Sequence, residues 1–284
     1  MKKHYQILIL FCLILMSGCQ QNHYEKEISE ETLLSQSITL DENKEKEELT
    51  HTEEKIENEA TSEDTEELID IDTEDNVVYL TFDDGPNLAT STILEVLQEY
   101  DAEATFFLME PLMREYPQLV QNILDENHAI GLHGVTHNKD KFYESEQSAL
   151  NEMLQGQETL KDLTGVHTNL IRTPYGSIPY LTESYRELFQ ENNFKIWDWN
   201  VDSSDWSLTG QQYVDSVINQ IEKLDQANIT PIILLHDTAE TAEHLPTLLT
   251  YLKNNHFTMK KLTDQLKPYQ FSCHERCYRL NSGQ

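Results

Sequence analysis

The folded part of the chain is expected to open with the run Val77-Val78-Tyr79-Leu80-Thr81-Phe82, followed directly by Asp83-Asp84-Gly85-Pro86. Six consecutive β-branched, aromatic and aliphatic residues are typical of a buried β-strand. Gly85 and Pro86 indicate a turn, so the strand is expected to end at the two adjacent carboxylates. This stretch therefore predicts a core strand with two acidic side chains at its carboxyl end.

Downstream of this strand, short apolar runs alternate with segments of helical periodicity. Further strand candidates are Ala104 to Leu108, Ala129 to Leu132, Asn169 to Ile171, Phe194 to Trp199, Ile232 to Leu235 and Phe257 to Met259. Between the second and third strands, one helix is expected to carry Met113, Tyr116, Val120, Ile123 and Leu124. Strands that alternate with helices predict parallel pairing in an α/β fold, either a barrel or an open doubly wound sheet. No glycine-rich phosphate loop follows a strand, which disfavours the dinucleotide-binding form of the open sheet.

Acidic residues dominate the sequence upstream of this region. The whole chain has 51 Asp and Glu against 20 Lys and Arg, a net charge of -31. Positions 20–76 alone contain 21 acidic residues and 4 lysines, with no Gly, Pro, Trp or Phe. The few apolar side chains of this segment cannot bury enough surface to offset the entropy cost of ordering the chain. Residues 19–75 are therefore predicted to be a disordered linker, with a frayed, solvated helix as the alternative. The charge argues against a nucleic-acid-binding protein and against electrostatic attachment to an anionic membrane.

The N-terminus has the organisation of a secretion signal. Lys2 and Lys3 precede an apolar segment, Ile7 to Met16, that is too short to span a membrane. The following Met16-Ser17-Gly18-Cys19 resembles the processing site of bacterial lipoproteins. That resemblance implies removal of residues 1–18 and lipidation of Cys19, with an ordinary secretory signal as the alternative. The protein is accordingly expected on the extracellular face of the cell membrane, or secreted if Cys19 is not lipidated.

Charged or titratable side chains follow five of the predicted strands at the point where each strand ends. The five segments are Asp83-Asp84, His133-Gly134-Val135-Thr136-His137, Arg172-Thr173-Pro174-Tyr175-Gly176, Asp202-Ser203-Ser204-Asp205-Trp206 and His236-Asp237. In a barrel of parallel strands these ends lie at one rim, where active sites are built. Two histidines four residues apart in a helical turn can face one metal ion, and a carboxylate can complete a three-ligand site with room for water and substrate. Turns, caps and ion pairs explain each segment alone, but the combination favours a metal-dependent active site.

In this order, the five segments resemble the five motifs of the polysaccharide deacetylases with NodB homology, carbohydrate esterase family 4. The resemblance covers roughly residues 76–267. It implies a distorted (β/α) barrel of seven or eight strands, similar to a TIM barrel, in a domain that spans residues 76–284. It also implies a divalent metal, often Zn2+, with Co2+ or another ion as the alternative.

The resemblance further implies roles for individual residues. The implied metal ligands are Asp84, His133 and His137. The implied catalytic residues are Asp83 as general base, Arg172 as the residue that orients it, His236 as the general acid for the departing amine, and Asp205 as the partner of His236. The implied substrate-binding groups are the backbone N–H of Tyr175 as an oxyanion donor, with Trp206 and Leu234 forming the pocket for the acetyl methyl group. Asp237 is expected to be a structural turn or cap residue.

Two positions depart from the family pattern. Gly134 stands where Ser or Thr is usual, and the missing hydroxyl is expected to make the metal-binding loop less rigid. Thr173 replaces the commoner Pro without loss of a catalytic group. Beyond the resemblance, Cys273 and Cys277 are spaced for a disulfide outside the cell, and a second metal site that includes His274 is the alternative.

The resemblance implies hydrolysis of the N-acetyl group of N-acetylglucosamine residues in a cell-wall polysaccharide, with peptidoglycan as the expected glycan and acetate as a product. Tyr175 resembles the variant of the third motif that is common in glucosamine deacetylases. The expected partners are therefore the cell-wall glycan and, through the lipid on Cys19, the membrane, with no nucleic acid. The alternatives are an O-acetyl esterase acting on xylan-like glycan and, in a different class, a non-catalytic glycan-binding lipoprotein.

Overall fold

The computed structural model of the protein describes residues 68–71 and 76–280. The predicted signal peptide, Cys19 and most of the predicted linker lie outside the described residues. At 68–71 the linker prediction extends too far, because these residues pack on the domain. Ile69 forms an isolated parallel bridge with Leu266, and the Ile71 side chain is buried.

Eight strands within the described residues form one sheet in which all pairs are parallel. They are β1 (Val77–Gly85), β2 (Thr105–Leu108), β3 (Ala129–Leu132), β4 (Leu170–Ile171), β5 (Lys195–Ile196), β6 (Val201–Asp202), β7 (Ile232–His236) and β8 (Thr258–Lys260). The order is β5-β4-β3-β2-β1-β7-β6, and β8 pairs with the first residues of β1. The sheet curls into a half-barrel, which confirms the predicted α/β fold with parallel strands.

The predicted strand from Phe194 to Trp199 is wrong in its extent, because it ends early and a further strand follows. Only Lys195 and Ile196 pair with β4, and the chain then crosses to the opposite edge of the sheet to form β6. The crossing segment is hydrogen bonded at both ends, by Trp197 N–H to the Ile171 carbonyl and by Asn200 N–H to the Ile232 carbonyl. Residues 197–200 thus connect β5, at one edge of the sheet, to β6, at the other edge.

Helices connect the strands and cover the outside of the sheet. Those of the described residues are α1 (Leu88–Glu99), α2 (Glu110–Glu115), α3 (Pro117–Asp125), α4 (Lys139–Phe142), α5 (Glu146–Thr164), α6 (Glu183–Glu191), α7 (Gln211–Asp225) and α8 (Ala239–Asn254). The single helix predicted from Met113 to Leu124 is two helices, since Pro117 disfavours helical geometry at Tyr116. Among residues 68–71 and 76–280, none of the helices is long and apolar enough to cross a membrane.

The alternation of side chains along β1 separates two apolar cores. Val78, Leu80 and Phe82 belong to the large cluster between the sheet and the helices. Val77 and Tyr79 point the other way, into a smaller cluster inside the half-barrel that also contains Phe107 of β2. Because strand side chains alternate with a period of two, the next residues on the inner face are Thr81 and Asp83. The inner face of β1 therefore changes from apolar to polar towards its carboxyl end.

The C-terminal segment after β8 packs against the side of the half-barrel near β5. Asp198 N–H donates to the Tyr269 carbonyl, and the Tyr278 N–H donates to the Pro179 carbonyl. Cys273 and Cys277 form a disulfide between these two contacts. The two thiols are therefore joined to each other, and the alternative of a second metal site at this position does not fit the structure.

The large apolar cluster between the sheet and the helices, here called the outer core, predicts that buried and exposed leucines differ strongly in their contribution to the free energy of unfolding. Leu248 of α8 is fully buried, whereas Leu154 of α5 is 39% exposed. Leu248→Ala is expected to lower the free energy of unfolding by about 2–5 kcal/mol, because it removes packed methyl groups and leaves a cavity. Leu154→Ala is the matched control and is expected to cost less than about 1 kcal/mol. Urea unfolding followed by circular dichroism measures both, and equal losses would contradict the assigned core.

Candidate active site

Two adjacent carboxylates lie at the carboxyl end of β1. Side chains of neighbouring strand residues normally point to opposite faces. Here the register with β2 is irregular between Asp83 and Gly85, and Asp84 has a positive φ of 70°. This bulge brings both carboxylates to one imidazole: Nε2 of His133 lies 3.8 Å from Oδ2 of Asp83 and 3.5 Å from Oδ1 of Asp84.

Asp237 fixes the turn that follows these carboxylates. Its N–H donates to the Asp83 carbonyl, its carbonyl accepts from the Asn87 side chain, and its carboxylate accepts from the Thr90 hydroxyl. A Cβ at Gly85 would lie 2.3 Å from Oδ2 of Asp237, so the close approach requires glycine. Burial is the main reason that the pKa of Asp237 rises to about 7. Asp237 therefore braces the β1 turn, and Thr238, not Asp237, caps the helix that follows.

The two histidines of the second segment lie on a loop after β3. The helical turn from which two histidines four residues apart can face one metal ion is not formed here: Gly134 has a φ of 91° and His137 a φ of 42°, neither of which is helical. Nδ1 of His133 is 2.8 Å from the Arg172 carbonyl, and because a carbonyl only accepts, this nitrogen carries the proton. In the neutral ring, the lone pair of Nε2 then faces the Asp84 carboxylate.

Asp84, His133 and His137 form the only cluster of potential metal ligands found among the described residues. Oδ1 of Asp84 is 3.5 Å from Nε2 of His133 and 3.3 Å from Nε2 of His137, and it is a buried atom without a hydrogen bond. Ligand atoms arranged tetrahedrally at about 2.1 Å from one zinc ion would be roughly 3.4 Å apart. The spacing, the two imidazole nitrogens and the unpartnered oxygen fit a divalent cation with open coordination positions.

Arg172 lies fully buried inside the half-barrel. Its Nη1 donates to Oδ1 of Asp83 at 2.9 Å and to the Thr81 hydroxyl at 2.7 Å. Nε and Nη2 donate to the carbonyls of Trp197 and Asp198. The guanidinium also stacks on Phe107, with 4.3 Å between Cζ and the ring centroid. These contacts fix one oxygen of Asp83 and leave Oδ2 at 3.8 Å from Nε2 of His133.

On the other side of β1, the loop after β6 contributes the partner of His236. Asp205 accepts from Nδ1 of His236 at 2.7 Å, from the His236 N–H at 2.8 Å and from the Thr241 hydroxyl at 2.6 Å. Burial alone would lower the pKa of His236, but the hydrogen bond to Asp205 and the charge of Asp83 outweigh it and raise the pKa to about 9. The cationic ring is thus stable near neutral pH, with Nε2 as its remaining donor.

The predicted substrate-binding residues differ in exposure. The Tyr175 side chain is 52% exposed, its hydroxyl donates to the His137 carbonyl, and its ring lies 4.9 Å from the His137 ring. Trp206 is 71% exposed, whereas Leu234 is only 5% exposed. The roles of the Tyr175 N–H as oxyanion donor and of Trp206 and Leu234 as an acetyl pocket stay predictions.

Asp198 is a buried residue of the site region that sequence reasoning missed. Its carboxylate accepts from the N–H and the hydroxyl of Ser177 and from the N–H of Phe271. It therefore ties the loop that carries Tyr175 to the C-terminal segment. Sequence reasoning also missed Thr81, whose hydroxyl accepts from Arg172, and Thr241, whose hydroxyl donates to Asp205. Each of these residues is distant in sequence from its partner, so no local sequence pattern indicates the contact.

The contacts of Asp205 predict a pH effect on His236. In Asp205→Asn the raising influence of the carboxylate is lost, so the pKa of His236 should fall by at least about one unit and its ring should deprotonate at lower pH. Histidine NMR titration of the metal-free protein measures the midpoint. Asp202→Asn is the control, since Oδ1 of Asp202 accepts from the Ser204 N–H and hydroxyl. An unchanged midpoint in Asp205→Asn would contradict the assigned pair.

The sequence and the fold of this chain are similar to those of known proteins. The sequence profile of the polysaccharide deacetylase family matches residues 70–196. The Bacillus subtilis protein YheN, whose name assigns it to the polysaccharide deacetylases, is 43% identical over 196 residues, which cover 68% of this chain and 70% of the relative. The chain belongs to the polysaccharide deacetylase family.

Two further comparisons agree with this assignment. A Bacillus cereus protein named peptidoglycan-N-acetylglucosamine deacetylase is 39% identical over 184 residues, which cover 63% of this chain and 67% of the relative. The crystal structure of the polysaccharide deacetylase Bc1974 from Bacillus cereus superposes with a TM-score of 0.61 at 35% identity, covering 71% of this chain and 98% of the other.

Proposed function

We propose that this protein is a metal-dependent hydrolase that removes the N-acetyl group from N-acetylglucosamine residues of peptidoglycan and releases acetate. The observation that carries the proposal is the cluster of Asp84, His133 and His137, whose nitrogens lie 3.5 and 3.3 Å from one unpartnered carboxylate oxygen. Asp83 stands beside this cluster with one oxygen held by Arg172. A bound divalent cation would supply Lewis-acid chemistry, polarising the amide carbonyl and making water more acidic.

Asp83 and His236 divide the proton transfers of the proposed reaction. Amide hydrolysis adds a water oxygen to the carbonyl carbon and then breaks the C–N bond, so one proton leaves the water and one reaches the departing nitrogen. Oδ2 of Asp83 is the acceptor for the first proton, because Arg172 occupies the other oxygen. Protonated His236 is the donor of the second, and the two residues are register partners on β1 and β7.

A relative's name and the charge of the chain support peptidoglycan as the substrate, and the ligand set supports Zn2+ as the metal. The Bacillus cereus relative described above is named for deacetylation of peptidoglycan N-acetylglucosamine. A ligand set of two imidazoles and one carboxylate suits zinc, although Co2+ satisfies the same donors. Residues 77–284 contain 30 Asp and Glu against 14 Lys and Arg, and this acidic balance favours a neutral or amino-sugar glycan over a polyanion.

The N-terminal sequence supports a location beside this substrate. Residues 1–18 are proposed to be a lipoprotein signal peptide, with Cys19 as the lipidated first residue of the mature chain. Residues 19–67 would then be an acidic tether between the membrane and the domain. Such a tether raises the effective concentration of the enzyme near the wall without any new contact.

The proposal predicts metal-dependent release of acetate that requires Asp83. The zinc-loaded protein should release acetate from peptidoglycan and chitooligosaccharide, and Asp83→Asn should lower kcat by about 10²–10⁴-fold because the proton acceptor is lost. A chelated sample should be equally inactive. Enzymatic detection of acetate measures each sample, with Asp162→Asn on the exposed surface of α5 as the matched control.

The other outcomes of this assay distinguish the remaining functions. Release from acetylated xylan alone would overturn the N-deacetylase proposal in favour of an O-acetyl esterase. Zinc binding without release from any of the three glycans would favour a glycan-binding role. Activity that survives both chelation and Asp83→Asn would contradict the proposed site itself.

A further inference from the structure

The loop between the two proposed metal-ligating histidines begins with a glycine, Gly134. Residues 134–136 connect His133 to His137, and Gly134 adopts a φ of 91°. On one side, the Gly134 carbonyl accepts from the Glu110 N–H at 3.0 Å. Two backbone N–H groups of the loop, those of Val135 and Thr136, still need acceptors.

Glu152 supplies these acceptors from α5. Its Oε2 accepts from the N–H of Val135 at 2.8 Å and from the N–H of Thr136 at 2.9 Å. Its Oε1 accepts from the Thr136 hydroxyl at 2.7 Å. One carboxylate thus receives three hydrogen bonds from two consecutive loop residues. Hydrogen bonds to an ionised acceptor are roughly twice as strong as those between neutral groups.

Glu152 and Gly134 are sterically matched. A Cβ at position 134 would lie 3.1 Å from Oε2 of Glu152 and 3.4 Å from the Phe142 ring. Any other residue would also be strained at this positive φ. The glycine therefore lets the carboxylate approach the backbone of the loop, and the carboxylate compensates for the side chain that glycine lacks.

The helix that carries Glu152 is itself firmly placed. α5 begins with a capping box at Ser145, whose hydroxyl accepts from the Ser148 N–H at 3.1 Å. Met153, the next residue after Glu152, is fully buried in the outer core. The position of the carboxylate is thus fixed by the fold and does not depend on the loop.

We propose that Glu152 is the positioning residue that holds the His133–His137 loop in the geometry required for binding a divalent cation. The loop is ordered before the metal arrives, so metal binding does not have to supply the entropy cost of ordering it. This inference rests on the metal dependence proposed above. If Glu152 has this role, the affinity for zinc depends on its carboxylate, although Glu152 is not among the three proposed ligands. An effect on the stability of the fold alone is not sufficient.

The test measures zinc affinity of the full chain by competition with a chromophoric chelator. Glu152→Ala should weaken zinc binding by about 10–100-fold, the usual effect of losing a residue that orients metal ligands. Glu152→Gln keeps one carbonyl oxygen as acceptor and should recover part of the affinity. Glu158→Ala, at an exposed position of the same helix, is the matched control and should bind zinc as the wild type does.

A double-mutant cycle separates positioning from a general effect of charge. Thr136→Val removes the hydroxyl that donates to Oε1 and accepts from the Asn138 N–H, so its effect should be smaller in the Glu152→Ala background than in the wild type, where the contact with Oε1 is also lost. Additive effects of the two substitutions would overturn the proposal. A thermal unfolding scan of every variant verifies that the chain is folded at the temperature of the measurement.

The outcomes distinguish this inference from the function on which it rests. If the wild type binds no zinc, the metal dependence proposed above fails. If the wild type binds zinc and folded Glu152→Ala binds it equally well, the positioning role of Glu152 fails while the metal site stands. A lower melting temperature with unchanged zinc affinity would likewise reduce Glu152 to a structural residue and overturn the inference.

Discussion

The ion pair between Arg172 and Asp83 lies at the centre of the half-barrel, and the polar end of the interior is built around it. Arg172 is fully buried and Asp83 is 3% exposed. Breaking such a pair by removing one partner costs about 3–5 kcal/mol, because the other charge is left buried. The Arg172 backbone carbonyl also fixes the ring of His133. Arg172, the residue directly after β4, therefore orients the proposed base through its side chain and one proposed metal ligand through its carbonyl.

Parallel pairing explains why so many polar groups meet at this end of the sheet. All strand pairs of the described residues run in the same direction, so the carboxyl ends of β1, β3, β4, β6 and β7 lie at one rim. β1 is central, and its last residues have the histidine loop on one side and His236 on the other. The acidic-histidine cluster and the Asp205–His236 pair thus flank Asp83, which suits a reaction with separate proton acceptor and donor.

The strand ends and their titratable residues could be predicted from sequence because both signals are local: apolar runs of strand length, each followed by a polar segment. The conformations of those segments could not. Asp237 is hydrogen bonded to the turn after the bulge at Asp84, and Glu152 is hydrogen bonded to the histidine loop; both residues come from elements distant in sequence. The early end of the strand predicted from Phe194 to Trp199 could not be predicted either. Apolar composition does not show at which residue a chain leaves one edge of a sheet and crosses to the other edge.

Asp84, His133 and His137 are proposed to bind one catalytic metal ion. Crystals of the zinc-loaded protein, measured with X-rays on both sides of the zinc absorption edge, test this proposal most directly. We expect one anomalous peak about 2.0–2.2 Å from a carboxylate oxygen of Asp84 and from Nε2 of each histidine, with at least one coordination position facing solvent. A fully loaded protein with its zinc at any other residues would contradict it.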